Sequence, residues 1–409
     1  MAALAPTDGA RLGYRDLWEA GFIGQPQEET FDPEIAQAYT GRLDDLVVVP
    51  DVPGILDPDE IPPISLLRHE NATEAYAIQT TKQPFRLDHH GKGWGKVVFA
   101  TVYQRIGPGR FCCPTRPADR RQVAIKVLNK EVVHGELRKG AVGVDNPYKE
   151  VARMRELHNE DYVLSCTDFL EDKESLYIIT PKGLRTLKDV ITWGRPERTV
   201  PVEEAIAIFQ QVLKIVDYLQ SRGINHHDIS PDNLLVMPNR RLVVFDLAKS
   251  LRMPVNNATG HRGLMHHPSA FGTRAWMCPE AFRSFPYDGC SMDLWAAHVI
   301  FYNLLTNQFL YLEPHQQDHR FKLFVLAQGL QDIDTNELAR EVIQEFVAEL
   351  QGNHRGQKLL RTLGQMADAH LRLAPEPRAL LAASLNVNPA ERPTLAQTLG
   401  SALFHQGQG

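Results

Sequence analysis

The strongest constraint on the fold is a change of hydrophobic period near residue 185. Upstream, short β-rich runs recur: KVVFATVYQ (96–104), RQVAIKVLN (121–129) and SLYIIT (175–180), with one helical stretch, NPYKEVARMRELH (146–158), between the second and third. Branched and aromatic side chains suit a pleated, half-buried surface, so these runs predict a small sheet with one helix packed on it. Downstream, PVEEAIAIFQQVLKIVDYLQSRG (201–223) sets Ile208, Val212, Ile215 and Leu219 on one helical stripe, with Pro201 at its start and Gly223 at its end. The pattern predicts an α+β chain of two lobes, β-rich over about 86–180 and α-helical over about 184–405. A ligand site is expected in a cleft between such lobes. Residues 1–85 carry few apolar periodicities, and LDDLVVVPDVPGILDPDEIPP (44–63) scatters aspartate and proline among small apolar clusters. They read as an acidic, proline-rich N-terminal extension, partly extended along the folded body.

Composition narrows the partners. With 409 residues, 43% hydrophobic and 23% charged, the chain can bury a real core. A net charge of -6 lacks the basic excess of a general nucleic-acid or membrane-surface binder. Cys112, Cys113, Cys166, Cys278 and Cys290 form neither a disulfide framework nor a C-x-x-C pair, which favours a reducing, cytoplasmic or nuclear setting. The adjacent Cys112 and Cys113 read as part of a long surface connection. No apolar run approaches a bilayer span, so no membrane insertion is expected.

The chemistry concentrates in INHHDISPDNLLV (224–236). Pro231 spoils a helix and the polar half is too dense for a buried strand, so the stretch predicts an ordered loop running into a strand. The next apolar run, in RRLVVFDLAKS, ends at Asp246. Asp228, Asn233 and Asp246 then make an oxygen-rich group suited to hard Mg²⁺, with one carboxylate left to orient a hydroxyl. Upstream, GKGWGKVVFA (91–100) puts three glycines before a strand, where backbone N–H groups can approach phosphate oxygens. Lys126 ends the apolar run VAIK, and Glu150 lies on the same inward helix face as Met154 and Leu157, where it can reach that lysine. Each feature alone has a bland reading, as a turn, a cap or a structural ion pair. Their joint order along the chain does not.

Together these motifs resemble the eukaryotic protein-kinase catalytic domain, over about residues 86–405. GKGWGKVVFA is similar to the glycine-rich loop, VAIK to the phosphate-anchoring strand, HHDISPDN to the catalytic loop and DLA to the metal-binding motif. GTRAWMCPE (272–280) resembles the end of an activation segment, DLWAAHVIFYNLLT (293–306) a buried anchoring helix, and NPAERPT a late arginine motif. The resemblance implies a bilobal fold, ATP and Mg²⁺ as cofactors, and γ-phosphate transfer to Ser or Thr of a protein substrate. It implies that Asp228 accepts the acceptor proton, Asn233 and Asp246 hold Mg²⁺, Lys126 holds the α- and β-phosphates and Glu150 fixes Lys126. It assigns nucleotide contacts to Gly91, Gly93, Gly95, Val97, Ala124, Lys126 and Leu235, and to Thr180, Pro181 and Gly183 at the hinge. There adenine would meet the Pro181 carbonyl and the Gly183 amide. It also pairs Glu280 with Arg392, and Thr273 with the catalytic aspartate.

Four positions depart from the family. His227 stands where many members have arginine, Ser230 where a lysine faces the γ-phosphate, Ala248 where the metal motif has glycine, and the glycine loop is shortened or shifted beside Trp94. Losing one charge-assisted hydrogen bond at position 230 costs roughly 1.5–3 kcal/mol, or about ten- to a hundredfold in rate. Two other readings therefore stay open. One is a pseudokinase serving as a nucleotide-binding or scaffold module. The other is a small-molecule phosphotransferase of kinase-like fold, against which CPE, the DLW helix and Arg392 stand.

Overall fold

A computed structural model of the chain describes residues 14–24, 38–40, 42–50, 64–79, 85–87, 94–108, 110–114, 116–138, 146–159, 161–191, 199–256, 261–266, 272–328 and 373–404. The chain divides into two compact units, Thr30–Leu184, and Met1–Glu29 together with Arg185–Gly409.

The first unit is built on one sheet of ten strands. Along it run Tyr39–Thr40, Asp168–Glu171, Ser175–Pro181, Gln122–Asn129, Gly95–Gly107, Glu74–Ile78, Ile64–Arg68, Arg42–Pro50 and Arg110–Cys113, while Phe85–Leu87 also pairs with Gly95–Gly107. Neighbours are antiparallel except where 39–40 meets 170–171 and 47–50 meets 110–113. Successive side chains on a strand point to opposite faces. Leu67, Tyr76 and Val102 accordingly join one apolar cluster with Ala100, Val123, Ile125, Leu170 and Ile179, while their neighbours Leu66, Ala75 and Tyr103 join another with Phe111 and Cys113.

This two-sided burial explains where the sequence reading falls short. A strand covered on both faces reads as continuous apolar sequence and gives no alternation. Strands 64–68 and 74–78 therefore lie hidden in what reads as an extension ending at 85. Cys112 and Cys113 belong to a strand with Phe111 1% exposed, not to a surface connection. A second helix, Lys130–Arg138, precedes the expected one. The expected helix, Pro147–Glu156, is capped by the Asn146 side chain, which accepts from Tyr148 N and Lys149 N. It packs on the sheet through an edge-on contact of Tyr148 with Phe169.

The second unit is helical. Val202–Ser221 buries Ala205, Phe209, Val212, Leu213, Ile215, Val216 and Leu219, with Ile208 half-buried at the margin of the stripe. Gly223 ends it at φ +70°, a left-handed backbone that glycine takes without steric penalty. Phe209 stacks at 4.3 Å on Phe301 of Gly289–Thr306, a helix buried at every position but Ser291. Small ladders complete the unit: Leu234–Val236 pairs with Leu242–Val244 and with Arg185–Thr186.

Residues 14–24 also belong here. The short helix Tyr14–Glu19 buries Leu17, Tyr14 Oη donates to the Pro286 carbonyl at 3.2 Å, and Arg15 meets Glu391 at 2.8 Å. Ile23–Gly24 then runs parallel to Leu264–Met265. At Gly263 an added Cβ would fall 2.2 Å from the Phe22 ring, so this approach requires glycine.

Candidate active site

In the sheet unit, Lys126 lies mid-strand with Val97 and Ile178 as its cross-strand neighbours. Its Nζ is 2.8 Å from Glu150 Oε2, with the two side chains 20% and 6% exposed. Glu150, Met154 and Leu157 are all buried, so the face inferred from their spacing is the face that packs. A carboxylate this buried needs a cation, and Lys126 supplies it. Gly95 pairs with Leu128, and an added Cβ would stand 2.4 Å from the Val127 carbonyl oxygen, so only glycine fits. Buried Trp94 accepts from Asn129 N at 2.9 Å. Ala124 sits in register between Phe99 and Thr180, and Pro181 closes the strand opposite Val123, followed by half-buried Gly183. Gly91 and Gly93 lie outside the described residues.

In the helical unit, the 226–233 loop is held from beneath by Asp293 of the central helix. His226 N and His227 N donate to its two oxygens at 2.6 and 3.0 Å. Burial pushes the Asp293 carboxyl up to about 7, against the two N–H donors, which pull it down. His226 Nδ1 accepts from Asp228 N at 3.3 Å while Nε2 faces the Phe245 carbonyl at 3.0 Å. The imidazole is thus the neutral tautomer with its proton on Nε2, and burial holds its pKa below the ordinary value. His227 takes a left-handed φ of 68°, a conformation costing about 1–3 kcal/mol. It is held there by Asp293 on its amide and by a short contact of its ring nitrogen with the Tyr287 hydroxyl.

Asp228 is the most connected side chain of the loop. Its Oδ1 accepts from Thr273 N at 2.7 Å and Thr273 Oγ1 at 2.6 Å. Its Oδ2 accepts from Lys249 Nζ at 2.9 Å. Burial alone would raise the carboxyl, but the Lys249 ammonium and the Thr273 hydroxyl outweigh it and hold it below the ordinary carboxylate range. The Thr273 contact is the one the family resemblance implies. Lys249 has no such precedent in the motif reading. Its only sequence signal is its place three residues past Asp246 in DLAKS.

Asn233 and Asp246 come together through the 234–236/242–244 ladder, since Phe245 N donates to the Asn233 carbonyl at 3.1 Å. Asn233 Nδ2 donates to the Asp228 carbonyl at 2.9 Å, which leaves its Oδ1 as the free coordinating atom. Asp246 is left-handed at φ 60° and ψ 63° and starts the 3-10 turn Leu247–Lys249. A carboxylate and an amide oxygen so placed fit a hard, oxygen-seeking cation such as Mg²⁺. Ala248 lies inside that turn and is absent from the positive-φ residues, so alanine replaces glycine there without backbone strain. Leu235 pairs with Thr186 and Val243 and is half-buried. Ser230 is fully buried and its hydroxyl makes no hydrogen bond. Glu280 and Arg392 meet as expected, through bonds of 2.5 and 2.9 Å.

A family model described as "Protein kinase domain" matches residues 100–404, more than half of the chain. The chain belongs to the protein kinase domain family. Membership accounts for the fold, a strand-rich sheet with a helical part, and implies ATP as phosphoryl donor and a protein as acceptor. The kinase domain is 30% identical over 210 residues to the CBL-interacting serine/threonine-protein kinase 26 of Arabidopsis thaliana, covering 50% of this chain and 44% of that protein. It is 31% identical over 209 residues to the serine/threonine-protein kinase STK11 of Gallus gallus, covering 49% and 43%. It is 28% identical over 229 residues to the CBL-interacting protein kinase 11 of Oryza sativa subsp. japonica, covering 55% and 40%. The chain thus spans less than half the length of these relatives. Among the described residues, no helix is long and apolar enough to cross a membrane.

Proposed function

We propose that this kinase domain transfers the γ-phosphate of ATP to serine or threonine hydroxyls of protein substrates. The observation that carries the reading is the state of Asp228. It is buried, held ionised, fixed on one oxygen by Thr273 and able to accept a further hydrogen bond. A carboxylate in that state orients an acceptor hydroxyl and takes its proton as the oxygen attacks phosphorus. Lys126, steadied by Glu150, is the cation for the α- and β-phosphates. Asn233 Oδ1 and the Asp246 carboxylate would hold Mg²⁺, which when bound would neutralise phosphate charge. Gly95, Val97 and Ala124 would be the nucleotide contacts of the sheet unit, with the Pro181 carbonyl and Gly183 amide for adenine, and Leu235 that of the helical unit; Gly91 and Gly93 would extend the phosphate loop. The serine/threonine-protein kinase names of the relatives support the acceptor class.

The test is transfer of labelled γ-phosphate from Mg-ATP to the chain itself and to casein and histone, comparing wild type with Asp246→Asn. Incorporation into phosphoserine or phosphothreonine by the wild type, at least a hundredfold above the variant, is expected. Equal incorporation by the two would refute the reading. Nucleotide binding without any transfer would favour a binding module instead.

A further inference from the structure

Position 230 carries no charge, and its buried hydroxyl makes no hydrogen bond, so no cation on the loop itself faces an anionic group. A cation nevertheless stands at the same carboxylate. Lys249 reaches Asp228 Oδ2 at 2.9 Å, with its side chain 21% exposed. Its position is built rather than incidental. Left-handed Asp246 turns the chain into the 3-10 segment Leu247–Lys249. Ser250 locks that turn with both its N–H and its Oγ on the Leu247 carbonyl, at 3.0 and 2.7 Å.

The remaining capacity of Asp228 fixes where an acceptor binds. A carboxylate offers about four lone-pair sites, and Thr273 takes both those of Oδ1 while Lys249 takes one of Oδ2. The site left for a hydroxyl is therefore on Oδ2, beside the ammonium. An ammonium at 2.9 Å and a hydroxyl at about 2.7 Å from one oxygen lie roughly 5 Å apart. A phosphorus about 3 Å beyond the attacking oxygen then keeps its outer oxygens within reach of a short swing of the lysine.

We propose that Lys249 is a catalytic residue of this kinase, its ammonium contacting the phosphoryl group in transit in place of the lysine missing at position 230. The proposal rests on the phosphotransfer reading above. In the step, the acceptor oxygen forms its bond to the γ-phosphorus, the bond from that phosphorus to the β,γ-bridging oxygen breaks, and ADP leaves with the bond's electron pair. The acceptor proton passes to Asp228. Lys249 keeps its protons throughout and hands its hydrogen bond from Asp228 to the transferring group as charge develops there. The charged or titratable groups facing Asp228 are Lys249, His226 and Asp293. Lys249 is the one whose removal strips a positive charge from the carboxylate.

The experiment compares wild type, Asp246→Asn, Lys249→Met, Lys249→Arg and Lys249→Met with Ser230→Lys, measuring kcat and acceptor KM on casein and histone. Lys249→Met is expected to lower kcat about ten- to a hundredfold and to leave acceptor KM within about threefold. Lys249→Arg is expected to retain most activity, and Ser230→Lys to restore part of what Lys249→Met loses. Unchanged or raised kcat in Lys249→Met would overturn the proposal, as would a loss that Lys249→Arg shares in full and Ser230→Lys does not rescue. The first outcome would mark the lysine as a latch over Asp228 and the second as a structural tie. If wild type transfers no more than Asp246→Asn, the phosphotransfer reading fails and this proposal falls with it. If wild type transfers, the Lys249 variants decide this proposal alone.

Discussion

Replacing Glu280 tests how the helical unit holds itself together. Arg392 is buried with its side chain 5% exposed. It donates to Glu280 Oε1 at 2.5 Å and Oε2 at 2.9 Å, and its Nε donates to the Asn386 carbonyl at 2.7 Å. Its Cζ stands 4.3 Å above the Trp295 ring. Burial alone would lower the guanidinium pKa, but the Glu280 carboxylate outweighs it and raises it. Glu280→Gln keeps the shape and removes the anion, leaving a buried cation with only the indole face and neutral oxygens. Breaking one side of such a pair costs about 3–5 kcal/mol, and a glutamine that still accepts one bond belongs at the lower end. For a unit of this size, about 2–4 °C per kcal/mol translates that lower end into a fall of roughly 6–12 °C in Tm. The assay is urea unfolding followed by far-UV circular dichroism and tryptophan fluorescence, since Trp276 and Trp295 are both buried in this unit. The double variant Glu280→Leu with Arg392→Met, which removes both charges, is expected to lose less than Glu280→Gln. A midpoint unchanged in Glu280→Gln, or a double variant worse by the sum of two independent losses, would refute the argument.

Leu17→Ala removes the one buried side chain of the helix Tyr14–Glu19. A six-residue helix has little stability of its own, so the variant is expected to lose about 2 kcal/mol and to expose residues 14–24 to limited proteolysis; unchanged protection would contradict the packing. Asp288 supplies an acid-side prediction. Burial would raise its carboxyl, but Arg262, Ser291 and the Cys290 amide hold it below the ordinary value. A depressed folded pKa contributes stability that is complete above the unfolded value of about 4 and disappears as pH falls through the folded one. Asp288→Asn is expected to lower the urea midpoint at pH 7 and to flatten its decline between pH 5 and 3. An equally steep acid decline in both proteins would assign that dependence to other carboxylates.

How far the sequence discloses this molecule depends on whether a contact leaves a local pattern. The helix 201–223 is legible because one face is buried and the other wet, and Gly223 marks its end. Lys126 and Glu150 are legible because each lies on a clear face of a clear element, and the ion pair follows from those faces. The strands at 64–68 and 74–78 are not, since Leu66 and Leu67, or Ala75 and Tyr76, are buried on opposite faces and cancel the alternation. Lys249 is hidden for a different reason. Its reach to Asp228 depends on a left-handed Asp246, and nothing in the letters DLAKS reports a backbone angle. Asp293 is visible as part of a helix motif, but its hold on two loop amides is a property of tertiary placement.

The departures at positions 227, 230 and 248 are unequal in consequence, and the structure ranks them. Ala248 occupies a backbone any residue adopts, so it costs nothing. His227 stands buried where an arginine could hold a phosphate, but the segment such a phosphate would steady has other ties. Arg262 grips Asp288 through two bonds of 3.1 Å, Met265 bridges Tyr287, and Leu264–Met265 is paired with Ile23–Gly24. Arg262 and Asp288 are almost fully buried, with side chains 9% and 1% exposed, so salt screens them little and their attachment requires no added phosphate. Ser230 alone removes a charge from the transfer site without a local substitute on its own loop. The compensation proposed above comes from another segment, through Lys249, whose ammonium already touches the carboxylate of Asp228.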